Sequence, residues 1–192
     1  MDALLVPTGV VALAEIGDKT QLLAFVLAAR FKKTWPIVLG ILVATVVNHG
    51  LAGALGVLAA KFIGPEILRW VLGLSFIAMA AWVLVPDKID ADEAGAASNH
   101  GVFVATAVSF FLAEMGDKTQ LATVAMAAHY GAPLLVVIGT TLGMLIADVP
   151  AVFVGDKLGG KLPVRAIHVA AALVFAALGV ATLIGVGKGV GF

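Results

Sequence analysis

The sequence predicts an all-α integral membrane protein with six transmembrane helices arranged as two inverted three-helix repeats. Three observations carry this. Hydrophobic residues make up 61% of the 192-residue chain and charged residues only 12%, with a mean hydropathy of +1.10, outside the range of a soluble domain of this size. Six apolar stretches are long enough to cross about 30 Å of hydrocarbon, which needs roughly 20 helical residues. The third observation is a long-range repeat. Shifting the chain by 99 positions superposes Glu15-Ile16-Gly17-Asp18-Lys19-Thr20-Gln21-Leu22 on Glu114-Met115-Gly116-Asp117-Lys118-Thr119-Gln120-Leu121, seven identities in eight positions.

The first span is placed at 4–29. No basic segment precedes it, and its apolar run continues past signal-peptide length into Glu15, so it is expected to be retained as a span. The second and third spans fall at 36–60 and 67–86, closing a first repeat over 1–86. Residues 87–100, with Asp87, Asp90, Asp92 and Glu93, form an acidic linker. The second repeat, 101–192, holds spans at 102–128, 134–155 and 166–187. A repeat with an odd number of crossings inserts its second copy upside down, so inversion follows from the count. Arg30, Lys32, Lys33, Lys88, Lys157, Lys161 and Arg165 fall in one set of loops and only Lys61, Arg69 and Lys188 in the other. That asymmetry puts the linker in the cytoplasm and both termini outside.

Composition also excludes functions. Twelve basic and twelve acidic residues cancel, so no net field favours nucleic acid. The absence of cysteine rules out thiolate metal sites and thiol nucleophiles. No ATP-binding motif is present, so transport would be secondary.

Glu15, Asp18, Lys19 and Glu114, Asp117, Lys118 sit about midway through the first and fourth spans. Each central charge would cost roughly 2.5–3.5 kcal/mol if it faced lipid, so the six must face one another, water or an ion. On an unbroken helix Glu15, Asp18 and Gln21 form one stripe, as do Glu114, Asp117 and Gln120. Gly17 and Gly116 permit either close helix approach or local unwinding that frees carbonyls. Inverted repeats would bring the stripes together at the midplane, where four carboxylates and two lysines leave a formal charge of about −2 for a divalent cation to neutralise. Carboxylate, carboxamide and hydroxyl oxygens suit Mn²⁺ or Ca²⁺. Protons compete for the same carboxylates, which gives a route to proton-coupled exchange. The structural alternative is local pairing of Glu15 with Lys19 and Glu114 with Lys118, fixing only helix packing.

Three further polar residues lie deep in the second spans, two in the first half and one in the second. Asn48 and His49 align with Ala147 and Asp148. Asp148, two residues before Pro150, is a candidate for proton relay or gating, and His49 and Asn48 share that candidacy. Gly139 and Gly143, with Gly50, Gly53 and Gly56, mark faces for close helix packing.

The paired Glu-x-Gly-Asp-Lys-Thr motif, the six spans and the acidic central loop resemble the MneA/Gdt-type cation transporter family. The resemblance covers essentially the whole chain. It implies that Glu15, Asp18, Glu114 and Asp117 are essential acids, with Lys19, Thr20, Lys118 and Thr119 completing the motif. Manganese as cargo, and export across a bacterial inner membrane as the direction, come from this resemblance. It implies no cofactor, only the metal ion and protons as substrates and the bilayer as surroundings. A Ca²⁺/proton exchanger, or an exporter of another cation, is the near alternative. A membrane-embedded hydrolase using the paired carboxylates is the remote one.

Overall fold

The computed structural model describes residues 1–85, 101–154 and 164–185. The acidic linker, Lys157, Lys161 and the C-terminal tail lie outside these residues. The described chain is all-helical, with α1 Asp2–Glu15, α2 Lys19–Phe31, α3 Thr34–Phe62, α4 Pro65–Trp82, α5 Val102–Glu114, α6 Lys118–Tyr130, α7 Pro133–Val154 and α8 Val164–Leu183.

The expected spans at 4–29 and 102–128 are therefore corrected. Each is two helices, interrupted inside the motif, and the single-helix stripe of Glu, Asp and Gln does not form. The cause is local. Gly17 and Gly116 adopt φ of +86° and +79°, a region that other residues enter only with strain, and it carries the chain out of the helix. The halves also end alike. Lys32 closes α2 with φ +52° and Gly131 closes α6 with φ +61°, 99 positions apart in sequence, each returning its N–H to a carbonyl of the last turn.

Packing exchanges partners between the halves. Both pieces of the first broken helix, α1 and α2, lie along α7, while α5 and α6 lie along α3. The long helices α3 and α7 pack on each other, and α4 pairs with α8. Glycines set the distances. A Cβ built on Gly40 would stand 2.9 Å from the Phe103 carbonyl oxygen, and one on Gly139 only 2.5 Å from that of Leu4, an equivalent contact 99 residues away. Gly143 lies equally close to Thr8, and Gly53 and Gly56 take α7 and α6. Gly50 faces open space.

The long helices α3 and α7 bury polar side chains and turn apolar ones outward. Leu39, Val43, Val47, Leu51, Leu55 and Leu58 form an exposed row on α3, whereas Thr45, Asn48 and His49 on the same helix are fully buried. Likewise α7 exposes Leu135, Ile138, Leu142 and Ile146 and buries Thr140, Thr141 and Asp148. Thr34–Phe62 and Pro133–Phe153 are long and apolar enough to cross a membrane. Lipid, unlike water, welcomes such a surface, and the buried polar interior is where a membrane protein places function.

Candidate metal centre

The two breaks are built alike. Ile16 (φ −65°, ψ 115°) and Asp18 (φ −83°, ψ 172°) flank Gly17, and Met115 (φ −67°, ψ 115°) and Asp117 (φ −77°, ψ 167°) flank Gly116. Each motif glutamine straps its own break. Gly17 N–H donates to Gln21 Oε1 at 2.8 Å, and Gly116 N–H donates to Gln120 Oε1 at 2.8 Å. The amide ends reach the opposite half, Gln21 Nε2 donating to the Ala147 carbonyl at 2.9 Å and Gln120 Nε2 to Asn48 Oδ1. Asn48 and Ala147 are the aligned polar and apolar partners of the sequence repeat. A side-chain oxygen in one half thus does what a backbone oxygen does in the other.

Glu15 and Glu114 are the last residues of α1 and α5, at the negative ends of those helices, where a further negative charge favours a cation. Thr20 and Thr119 each donate to the Oε2 of the glutamate five residues earlier, at 2.6 and 2.9 Å. That leaves Glu15 Oε1 and Glu114 Oε1 buried with no hydrogen-bond partner among the described residues, together with Asp117 Oδ2. Oxygens of Glu15, Glu114 and Asp117 lie within 4.8 Å of one another, and all three side chains are buried. Oxygens on opposite sides of one ion are separated by about twice a metal–oxygen bond of roughly 2.1–2.6 Å, so one divalent cation fits among them.

The lysines pair across the halves, not along their own helices as the structural alternative supposed. Lys118 Nζ is 2.5 Å from Asp18 Oδ1, and Lys19 Nζ is 3.6 Å from Asp117 Oδ1. The Lys118 pair is the deeper, with its side chain 1% exposed against 19% for Lys19. Asp18 therefore faces a lysine, while Asp117 serves both a lysine and the carboxylate group.

Asp148 is buried within electrostatic reach of Glu15, Asp18 and Glu114, and both of its oxygens lack hydrogen-bond partners among the described residues. His49 is equally buried, with neither ring nitrogen hydrogen-bonded among the described residues. Asn48 donates to the Phe111 carbonyl at 3.4 Å in addition to receiving Gln120. One participant was missed from sequence. His168 of α8 is buried, and its Nε2 lies 2.9 Å from the Ile16 carbonyl, a group released by the first break. Its signal was a polar residue in register with Arg69, each in an otherwise apolar third span.

The family described as divalent cation/proton antiporter GDT1 matches residues 3–91 and 102–189, in two stretches that each contain one motif copy. The chain belongs to this family. A Vibrio cholerae protein named "Putative manganese exporter" is 48% identical over 95% of this chain and 90% of its own length. A GDT1-like protein of Synechocystis is 29% identical over 86% of this chain and 88% of its own. GDT1-like protein 3 of Arabidopsis thaliana is 27% identical over 91% of this chain and 68% of its own. No solved structure matches.

Proposed function

We propose that this GDT1-family protein exports Mn²⁺ across a bacterial inner membrane in exchange for protons, through a single midplane site shared by its two halves. The observation that carries the proposal is the carboxylate group of Glu15, Glu114 and Asp117, drawn from both motif copies and buried within 4.8 Å of one another at the helix breaks. Its donors are oxygens only, which suits a hard or borderline divalent ion. The similarity to a protein named for manganese export supports the choice of cargo.

In this proposal α1 with α2, and α5 with α6, each make one discontinuous crossing, giving six crossings in two inverted repeats, 1–86 and 101–192, joined by a cytoplasmic linker at 87–100 with both termini outside. The exchange of packing partners between halves supports that plan. Glu15, Glu114 and Asp117 bind the ion. Asp18 and Lys118 neutralise each other beside it. Gln21 and Gln120 shape the breaks, and their oxygens, each already accepting one N–H, have a second lone pair for the ion. Thr20 and Thr119 orient the glutamates, and Lys19 counters Asp117. Asp148 beside the site, and the buried His49 at its repeat-equivalent position, both without hydrogen-bond partners among the described residues, carry protons to and from it, and Asn48 holds Gln120. Metal binding needs ionised carboxylates, so protons and metal occupy the same oxygens in turn.

The test is Mn²⁺ uptake into inverted membrane vesicles with an imposed pH gradient, with Ca²⁺ as competitor. Uptake that follows the gradient and is lost in Glu114→Gln is expected. Uptake indifferent to the gradient removes the exchange, and preference for Ca²⁺ replaces the cargo.

A further inference from the structure

We infer that α4 and α8 move as a pair between the two ends of the site, and that His168 and Arg69 alternate as the latches that hold it at one end or the other. This rests on the transport function proposed above and deepens it.

The structure is less symmetric than its sequence. Each end of the site is formed by one piece of each broken helix, α1 with α6 at one end and α2 with α5 at the other. The α4–α8 pair packs on α1 and α6. The apolar core at that end includes Leu72, Phe76 and Met79 of α4 with Phe175 of α8, whereas among the described residues the core of the α2/α5 end includes nothing from either helix. Uncovered apolar side chains mark the difference. Met115 is 56% and Leu112 54% exposed, while their counterparts Ile16 and Leu13 are partly covered. Val26 on α2 is 39% exposed, and its counterpart Ala125 on α6 is 3% exposed.

The pair itself is symmetric. Phe76 and Phe175, 99 positions apart, stack on each other at 6.5 Å and 28°, so the two helices meet about their own local axis. Gly73 and Gly179, which are not repeat equivalents, bring the backbones together, a Cβ on Gly73 standing 3.2 Å from the Gly179 carbonyl oxygen and one on Gly179 2.9 Å from that of Gly73, both inside van der Waals contact. A symmetric unit seated on one of two equivalent ends has a second seat of nearly equal kind, and exchanging the conformations of the two halves places it there. The α2/α5 end, with Leu112, Met115 and Val26 uncovered, is that seat.

His168 and Arg69 occupy equivalent places on the pair. His168 now holds the Ile16 carbonyl of the first break at 2.9 Å. Arg69 Nε has no hydrogen-bond partner among the described residues, and the second break, at Met115, is exposed. After the exchange Arg69 donates to the Met115 carbonyl and His168 releases Ile16. Each latch is a positioning residue that ties the moving pair to a motif half.

The chain has no native cysteine, so double-cysteine variants test this directly. Phe76 and His129 stand 6.4 Å apart between ring centroids and report the seat seen here. Their equivalents Phe175 and Arg30 report the other seat. In vesicles treated with a short bifunctional thiol reagent, Phe76→Cys/His129→Cys and Phe175→Cys/Arg30→Cys both crosslink, and each crosslink abolishes flux until it is cleaved. His168→Ala shifts the yield ratio about fivefold toward the 30–175 crosslink, the loss of one buried hydrogen bond, and Arg69→Ala shifts it the other way. His168→Gln, which keeps a donor, restores the ratio, which a merely structural role would not do. Flux of uncrosslinked protein is read in the same vesicles. Its absence counts against the transport function, whereas vesicles that carry flux yet never form the 30–175 crosslink overturn the exchange of seats. An unchanged ratio in both alanine variants overturns the latches.

Discussion

Lys118 Nζ stands 2.5 Å from Asp18 Oδ1, so the ammonium of one motif copy neutralises a carboxylate of the other at the centre of the bundle. The pair is almost wholly buried, and it links α6 to the break that begins α2. Breaking a buried ion pair by removing one partner costs about 3–5 kcal/mol, because the remaining charge has no compensation. Lys118→Met therefore destabilises strongly, while Lys118→Met with Asp18→Asn recovers most of the loss. Lys19→Met, whose pair is longer and partly exposed, costs about 1 kcal/mol or less. Thermal unfolding of the purified variants in detergent measures the difference as a double-mutant cycle.

Gly116 has a φ of +79° and open space where a Cβ would stand. Its substitution thus tests backbone conformation without a steric clash. Gly116→Ala should cost about 1–2 kcal/mol through the left-handed backbone alone, and Gly116→Asn less. Metal flux should fall in the same order, because the strain acts on the break that aims Glu114 and Asp117. Flux normalised to folded protein is the readout.

The glycine contacts predict a graded series. Gly139→Ala and Gly143→Ala push a methyl against the backbone of α1 and should each cost about 1–3 kcal/mol as overpacking. Gly50→Ala, in open space on the same kind of helix, should be neutral or stabilising by up to about 1 kcal/mol through helix propensity. Melting temperatures of the three variants order them.

Because Glu15, Glu114 and Asp117 must all be ionised around the ion, Mn²⁺ binding should release protons and weaken as pH falls. Protons released on titrating the protein with Mn²⁺ in weakly buffered detergent, followed with a pH indicator, check the sign. Binding that strengthens on acidification would contradict it.

Much of this was legible in the chain. The offset of 99 marks both motif copies, because duplication leaves identical residues in register. The cost of central charges then required all six motif charges to face one another, water or an ion, without singling out Glu15, Glu114 and Asp117 from Asp18. The helix break was visible only as an option, since Gly17 and Gly116 permit unwinding without enforcing it. The glutamine strap holds the break in the structure, and its amide ends meet acceptors of the opposite half at Ala147 and Asn48. For the same reason the lysine pairs were not legible: spacing of four along a helix favours Glu15 with Lys19, and only the meeting of the halves brings Asp117 to Lys19. His168 was hidden because a single histidine in an apolar span reads as packing until its carbonyl partner is known.

The most direct test of the shared site is equilibrium Mn²⁺ binding to purified wild-type protein and to Glu15→Gln, Glu114→Gln and Asp117→Asn. One ion per chain is expected, with affinity lowered about tenfold or more by a change in either motif copy, as loss of a liganding carboxylate requires. Two independent ions per chain, or wild-type affinity in all three variants, would contradict a single centre built by both halves.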